Sequence, residues 1–495
     1  MSRFIPPVRT WPLLGIVSLV ASACGGEAAY KNARPTAQPE IASARVPYRA
    51  GGPAIEPAAA VSPAPTGTSS APNPERPPID APPAAVVAPI GALENHVALR
   101  HYFEALSKLE GGHGHDDVRI VQFGDSHTAA DYETGVMRRA LQARFGDGGR
   151  GFVAIGRPYG KYVQDGVRSN STREWSSERG KLIKGKFQGD GCYGLAGCSV
   201  VTSKRGARAW ATLSARASRI EVAYLEQPRG GSIDVFIDGA AAGKISTRGR
   251  GVVSAYHAFD VPDAPHHIEL RAAGDGDVRV FGASLDRTQV GLTLDALGIN
   301  GARVTTPLQW NEAHMAEQLK HRAPDLVVLA YGTNEAGDDT SSAVYERQVV
   351  DLLGRIARAV PSSSCLLLGP PDRAVRASGV WQTSTKLLDI IASQRRVARA
   401  AGCAFYSQLD AMGGEGSIAS WASEERPRAM LDRVHLSRDG YAQLAGIYVT
   451  DMLGAYAAWR ADTGLPPSKD NGIPVTPAAP LPNAPATPRD PIARK

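Results

Sequence analysis

The spacing of apolar positions changes several times along the chain, and each change predicts an element. Leu99, Phe103 and Leu106 recur at three- and four-residue steps, which predicts a helix over 93–110. A short apolar run, 118–123, then meets the turn Gly124-Asp125-Ser126, after which Tyr132, Val136, Ala140 and Leu141 return to helical spacing. Further on, 326–329 reads as a buried strand, and Val349, Leu352, Leu353, Ile356 and Val360 as a helical stripe. Two more strands follow at 365–369 and 403–406, and a last helix over 440–456. Strands alternating with helices predict βαβ units and a parallel sheet. Residues 159–285 interrupt that order. There 219–224, 232–237, 267–270 and 278–281 alternate at period two, with turns such as Asp238-Gly239 between them. This predicts an antiparallel β-sandwich inserted into the α/β domain.

Proline placement sets the outer limits. Of 36 prolines, 14 fall in 31–92 and 9 in 461–495, against 10 in 93–460. Residues 24–92 and 461–495 are rich in Pro, Ala and small polar residues without apolar periodicity, and cannot bury enough surface to offset the entropy of ordering. They are expected to be a linker and a loose tail around a discontinuous α/β domain, 93–158 and 286–460, that holds the insert 159–285. The middle of the chain excludes a fibrous, collagenous or wholly disordered protein. The net charge of +6 includes Arg3 and Arg9 and contains no Lys/Arg runs, so nucleic acid is not an expected partner.

The first ten residues carry Arg3 and Arg9 and no acid, 11–23 are mostly apolar, and Ala21-Ser22-Ala23-Cys24-Gly25 follows. This predicts a signal peptide over 1–23, too short to span a bilayer comfortably. Cys24 after small residues resembles the lipobox of bacterial lipoproteins, in which the thiol is acylated; Ala21 stands where Leu, Val or Ile is usual. The resemblance implies a periplasmic protein of the bacterial envelope, lipid-anchored to a membrane, the outer one. Simple secretion after cleavage near Ala23 is the alternative. The other four cysteines suit an oxidising compartment. Cys192 and Cys198 flank a five-residue loop that a disulfide is expected to close. Cys365 and Cys403 begin two apolar runs that could be neighbouring strands, which leaves a bridge and two buried thiols both open.

Three clusters with chemical potential stand at predicted strand ends, where open α/β sheets place their ligands. In Gly124-Asp125-Ser126-His127-Thr128 a serine opens a helix whose N–H groups face a developing oxyanion. Asp125 is expected to hold the turn by hydrogen bonds rather than to act as a catalyst. In Tyr331-Gly332-Thr333-Asn334-Glu335 an asparagine amide supplies a further donor. In Asp432-Arg433-Val434-His435 a carboxylate three residues before an imidazole can set its tautomer. Neither a metal nor a cofactor is expected: His113, His115, Asp116 and Asp117 have no partner cluster, and the glycine run 146–151 lacks the Lys-Ser/Thr pair of a phosphate loop and reads as a turn shaping the cleft. His266 and His267 read as surface residues. Tyr224, Phe236 and Tyr256 suit either the core of the insert or stacking on sugar rings.

Taken in order, the clusters resemble the blocks of the SGNH (GDSL-type) hydrolase family. The resemblance implies a flavodoxin-like three-layer α/β fold with Ser126, Asp432 and His435 as the catalytic triad. It also implies an oxyanion hole formed by the amides of Ser126 and Gly301 and the side chain of Asn334. Gly301 comes from Asp295-Ala296-Leu297-Gly298-Ile299-Asn300-Gly301, with Gly298 as the runner-up. A nearer resemblance covers most of 93–460: Gly124-Asp125-Ser126-His127-Thr128, the run from Gly146 to Phe152, Gly332-Thr333-Asn334-Glu335-Ala336, and Met412-Gly413-Gly414 with Trp421 look like the bacterial peptidoglycan O-acetylesterases. These carry a carbohydrate-binding-like insert in the same place. Glu335 stands where many SGNH enzymes have Asp, a feature the nearer family shares. The implied activity is a monomeric serine esterase that removes muramoyl 6-O-acetyl groups through an acetyl-serine. The alternatives are an O-acetyltransferase, an esterase for another envelope or extracellular polysaccharide, and a non-catalytic wall-binding lipoprotein.

Overall fold

The computed structural model describes residues 88–159, 162–183, 186 and 188–468. The expected signal peptide, Cys24 and nearly all of the expected linker and tail lie outside the described residues.

Strands covered on both faces read as short runs rich in apolar residues. Five strands form a parallel sheet in the order Ala404–Ser407, Ser364–Gly369, Leu326–Ala330, Val118–Gly124 and Leu292–Gly298; the last, interrupted by Thr293 and Asp295, was not expected from the apolar pattern. A two-residue strand, Leu93–Glu94, adds antiparallel at one edge against Tyr406 and Phe405. The expected helix over 93–110 is therefore divided. Asn95 turns the chain at φ 53, a 3₁₀ turn spans His96–Leu99, and the α-helix runs Arg100–Glu110. Alternate strand residues face opposite ways. Ile120, Leu294, Val328 and Leu366 pack with Tyr102 and Phe103 of that helix and with Tyr448 and Tyr456 of the last one. Val121, Phe123, Leu329 and Leu367 pack on the other face with Leu352 and Ile356 of Ser342–Ala359 and with Leu387 and Ile390 of Thr385–Ala400. The last helix runs Arg438–Asp462, longer at both ends than its apolar stripe suggested, and the Ser437 hydroxyl caps it by accepting the Gly440 N–H.

Between Val118–Gly124 and Leu292–Gly298 the chain forms two antiparallel sheets. One has the order Ala240–Ser246, Ser232–Ile237, His267–Ala272, Arg208–Leu213, Val167–Ser171. The other has the order Val253–Ala264, Ala217–Glu226, Val278–Asp286, Cys198–Thr202, Ser176–Arg179. Both contribute to one apolar cluster that includes Ala211, Ile220, Val222, Val235, Leu270 and Tyr224. Tyr256 instead stacks on His321 with centroids 3.5 Å apart, and Arg271 lies over Phe236.

Three expectations are corrected here. Cys192 and Cys198 are free and buried, while Cys365 and Cys403 form a disulfide with Cα atoms 5.0 Å apart. The five residues after Cys192 close on backbone bonds instead, Gly194 N–H to Cys198 O and Gly197 N–H to Gly194 O. Both thiols lie in the apolar cluster beside Phe281 and Trp310, and burial pushes the Cys198 thiol up to about 12. The glycine run is not a cleft turn: Gly149–Val153 is a strand paired with Val278–Asp286. A Cβ on Gly149 would lie 2.4 Å from Leu285 O, so the close approach requires glycine. His266 is only 4% exposed, with its ring nitrogens bonded to Asp238 and the Pro262 carbonyl.

Among the described residues no helix is long and apolar enough to cross a membrane, and no group of three His, Cys, Asp or Glu is placed to hold a metal ion. Asp116 pairs with Arg119, and Asp117 accepts the Gly291 N–H.

Candidate active site

Two of the three clusters lie where a parallel strand ends; the third, Asp432–His435, was expected at a strand end but lies in the loop before the last helix, Arg438–Asp462. Val118–Gly124 stops at Gly124, and Asp125 turns the chain into the four-residue helix Ser126–Ala129, its carboxylate accepting the His127 N–H at 3.0 Å. That bond is the turn-holding role expected of Asp125. Burial pushes its carboxyl up to about 6, against the pull of the His127 amide. Ser126 is left half-buried at the start of the helix.

Near the last helix, Met430 N–H bonds to His435 O and Arg433 N–H to Met430 O, with Arg433 at φ 53. The loop so closed brings Asp432 under the histidine. Asp432 Oδ1 accepts the amides of Val434 and His435 at 2.9 and 3.0 Å, and Oδ2 lies 2.7 Å from His435 Nδ1. Burial would raise this carboxyl, but the bonds from the His435 ring and the two amides hold it at about 2. With Nδ1–H donated to the carboxylate, Nε2 is an acceptor, and it stands 2.9 Å from Ser126 Oγ. Serine, histidine and aspartate thus form one hydrogen-bonded chain able to take the serine proton onto the imidazole.

The asparagine cluster follows Leu326–Ala330. Asn334 Nδ2 donates to Ala302 O at 2.9 Å and lies 3.5 Å from Asp125 Oδ2, which puts it between the serine turn and the loop after Leu292–Gly298. In that loop Gly301 takes φ 74. Gly298 packs too tightly for a side chain, since a Cβ would come 2.1 Å from Ala129 N. Glu335 joins the two loops: Oε1 accepts Val304 N–H at 2.7 Å and Oε2 accepts Gly332 N–H at 3.1 Å. Burial pushes it up to about 7, against the Val304 amide. A longer acid than Asp spans that gap.

Sequence reasoning assigned no role to His127 or Tyr441. The buried His127 ring accepts or donates at Nδ1 with Tyr441 Oη at 2.8 Å and stands 5.3 Å, centroid to centroid, from His435. Burial and then the charge of His435 drive its pKa down to about 3, so a neutral ring packs beside the His435 imidazole. The Met412 and Trp421 stretch lies under the same region. Buried Asp372 accepts the Ile418 N–H, and Met412, Trp421, Leu436 and Tyr441 share a small apolar cluster.

Residues 259–443 match the model of the GDSL-like Lipase/Acylhydrolase family. The match contains Gly301, Asn334, Asp432 and His435, while Ser126 lies upstream of the two inserted sheets. A solved structure titled "Peptidoglycan O-acetylesterase in action, 5 min" is similar at 28% identity and TM-score 0.61, covering 72% of this chain and 96% of that one. Fainter likenesses are a family two carbohydrate esterase from Cellvibrio japonicus (12% identity, 59% and 98% coverage, TM-score 0.24) and a putative GDSL-like lipase from Parabacteroides merdae (17%, 34% and 74%, TM-score 0.27). No curated protein matches the chain.

Proposed function

We propose that this chain, an SGNH esterase of the GDSL-like kind, releases acetate from the muramoyl 6-O-acetyl groups of peptidoglycan through an acetyl-Ser126 intermediate. The observation that carries the chemistry is the chain Ser126 Oγ, His435, Asp432 with links of 2.9 and 2.7 Å. The likeness to a peptidoglycan O-acetylesterase over most of both chains supports the choice of substrate.

His435 takes the proton of Ser126 as its oxygen attacks the acetyl carbonyl, and Asp432 stabilises the imidazolium that forms. The amides of Ser126 and Gly301 and the side chain of Asn334 stabilise the oxyanion, for which Asn334 gives up or shares its bond to Ala302. His435 then protonates the departing glycan oxygen. Water, deprotonated by the same imidazole, releases acetate from Ser126.

This reading includes lipidation at Cys24, an envelope location, and an insert that acts as a carbohydrate-binding sandwich. The anchor rests on the charged, apolar and small-residue order of 1–25. Loss of labelled fatty acid in Cys24→Ser supports the anchor; unchanged labelling removes it.

Acetate release from O-acetylated peptidoglycan by the purified protein, compared with Ser126→Ala, tests the central claim. Wild type is expected to release acetate and the variant to lose that activity. Equal release by both overturns the mechanism. Release by wild type from small esters alone overturns the substrate.

A further inference from the structure

The inserted sheets send a cation to the loop that bears Gly301. Strand Ser176–Arg179 pairs with Cys198–Thr202, and the residue after it, Gly180, is pinned on both sides. Its N–H bonds to Gly197 O at 2.8 Å and its carbonyl accepts the Trp310 indole N–H at 2.7 Å. A Cβ there would lie 2.2 Å from Trp310 Nε1, so only glycine allows the contact. The pinned backbone directs Lys181 toward the loop after Leu292–Gly298. Its ammonium donates to Asn300 O, and a Cβ on Gly301 would lie 2.9 Å from Nζ.

Lys181 has cations for neighbours. Arg179 lies over the Tyr159 ring at 5.6 Å, and the hydroxyl of that tyrosine donates to Gly298 O; Arg179 Nε is buried without a hydrogen-bond partner. Arg303 reaches Gly301 O at 3.4 Å, but its charge is taken up by Asp338, with links of 2.5 and 2.7 Å. Among the described residues no carboxylate forms an ion pair with Arg179 or Lys181, and burial followed by the charges of Arg179 and Arg303 lowers the Lys181 pKa. Two half-buried like charges without a counter-ion destabilise a fold. Their position against a candidate oxyanion loop, held by a buried tryptophan, is that of a site completed by an anion.

We propose that Arg179 and Lys181 form a specificity subsite for a carboxylate carried by the substrate beside the acetylated sugar. The inference rests on the esterase reading and narrows its substrate to anionic glycans. In peptidoglycan the stem peptides attached to muramoyl residues supply such carboxylates, whereas an acetylated xylan free of glucuronic acid side groups has none. The guanidinium and the ammonium bind this group in the ground state and the transition state alike, so they act mainly through KM.

The test compares kcat/KM for acetate release from O-acetylated peptidoglycan and from such an acetylated xylan in wild type, Lys181→Met, Lys181→Arg and the double variant Arg179→Met/Lys181→Met. Lys181→Met is expected to lower the peptidoglycan-to-xylan ratio about ten-fold, the size of one charge-assisted contact at a partly exposed site. Most of the change should fall in KM, with Lys181→Arg restoring the ratio and the double variant lowering it further. An unchanged ratio overturns the subsite. Equal losses on both substrates also overturn it, because they would mean that Lys181 supports the oxyanion loop alone. If wild type spares peptidoglycan, the peptidoglycan reading fails by itself. The subsite then stands on a Lys181-dependent preference for acetylated pectin, a polyuronate, over xylan, and falls without one.

Discussion

A Cβ added at Gly124 would lie 2.2 Å from Thr128 Oγ1 and 2.9 Å from Ala330 O, so the serine turn has no room for a methyl group. Gly124→Ala is expected to cost about 1–3 kcal/mol of stability and most of the esterase activity, read by urea titration and acetate release. Asn334→Ala should lower kcat about 10²–10³-fold while leaving the melting curve close to wild type, since it removes one proposed oxyanion donor, the bond to Ala302 and a long 3.5 Å contact with Asp125. Glu335 is a pH-sensitive tie. Its folded pKa is raised by burial to about 7, so its stabilising effect is complete below the unfolded carboxyl value and is lost as pH rises through about 7. Glu335→Gln has no proton to lose. Relative to wild type its urea midpoint should therefore improve between pH 5 and pH 8, and a constant difference would contradict the buried carboxyl.

Two elements set the mechanical limits of the site. The Cys365–Cys403 bridge, 38 residues apart, joins the starts of adjacent parallel strands; Cys403→Ser is expected to cost about 2–4 kcal/mol, measured in denaturant without reductant. A thiol reagent should find Cys192 and Cys198 only after unfolding. The hairpin of Ala374–Ala377 and Val380–Thr383 supports the triad loop through the Ala374 N–H to Arg433 O bond and the Arg433 guanidinium over Trp381. Leu292–Gly298, interrupted by Thr293 and by Asp295 paired with buried Arg322, escaped the apolar pattern, but the other four parallel strands were legible because burial on both faces makes them rich in apolar residues. Gly149–Val153 was not, because a strand whose glycines admit a neighbouring backbone has no apolar signal. The Cys192–Cys198 pairing was misread for a related reason. Sequence spacing shows that two thiols are near each other, and not that the intervening backbone has already closed on its own hydrogen bonds.

Across the whole molecule the serine, asparagine and histidine clusters were legible because each sits at the end of a recognisable element. Lys181 was not, since only the path of the inserted sheets takes it to Asn300, 119 residues away in sequence. The same insertion sets the order in which the protein can form. Val118–Gly124 pairs in register with Leu292–Gly298 on one side and Leu326–Ala330 on the other, so the strand that leads to Ser126 has no sheet partner until the chain is made past residue 298 and is not flanked on both sides until past residue 330. Closing so long a loop adds little to the equilibrium cost but slows assembly. A chain ended at residue 320 should hydrolyse no ester. The proposed nucleophile is therefore kept inert by topology until the segments that carry Asn334 and His435 have joined the sheet that presents it.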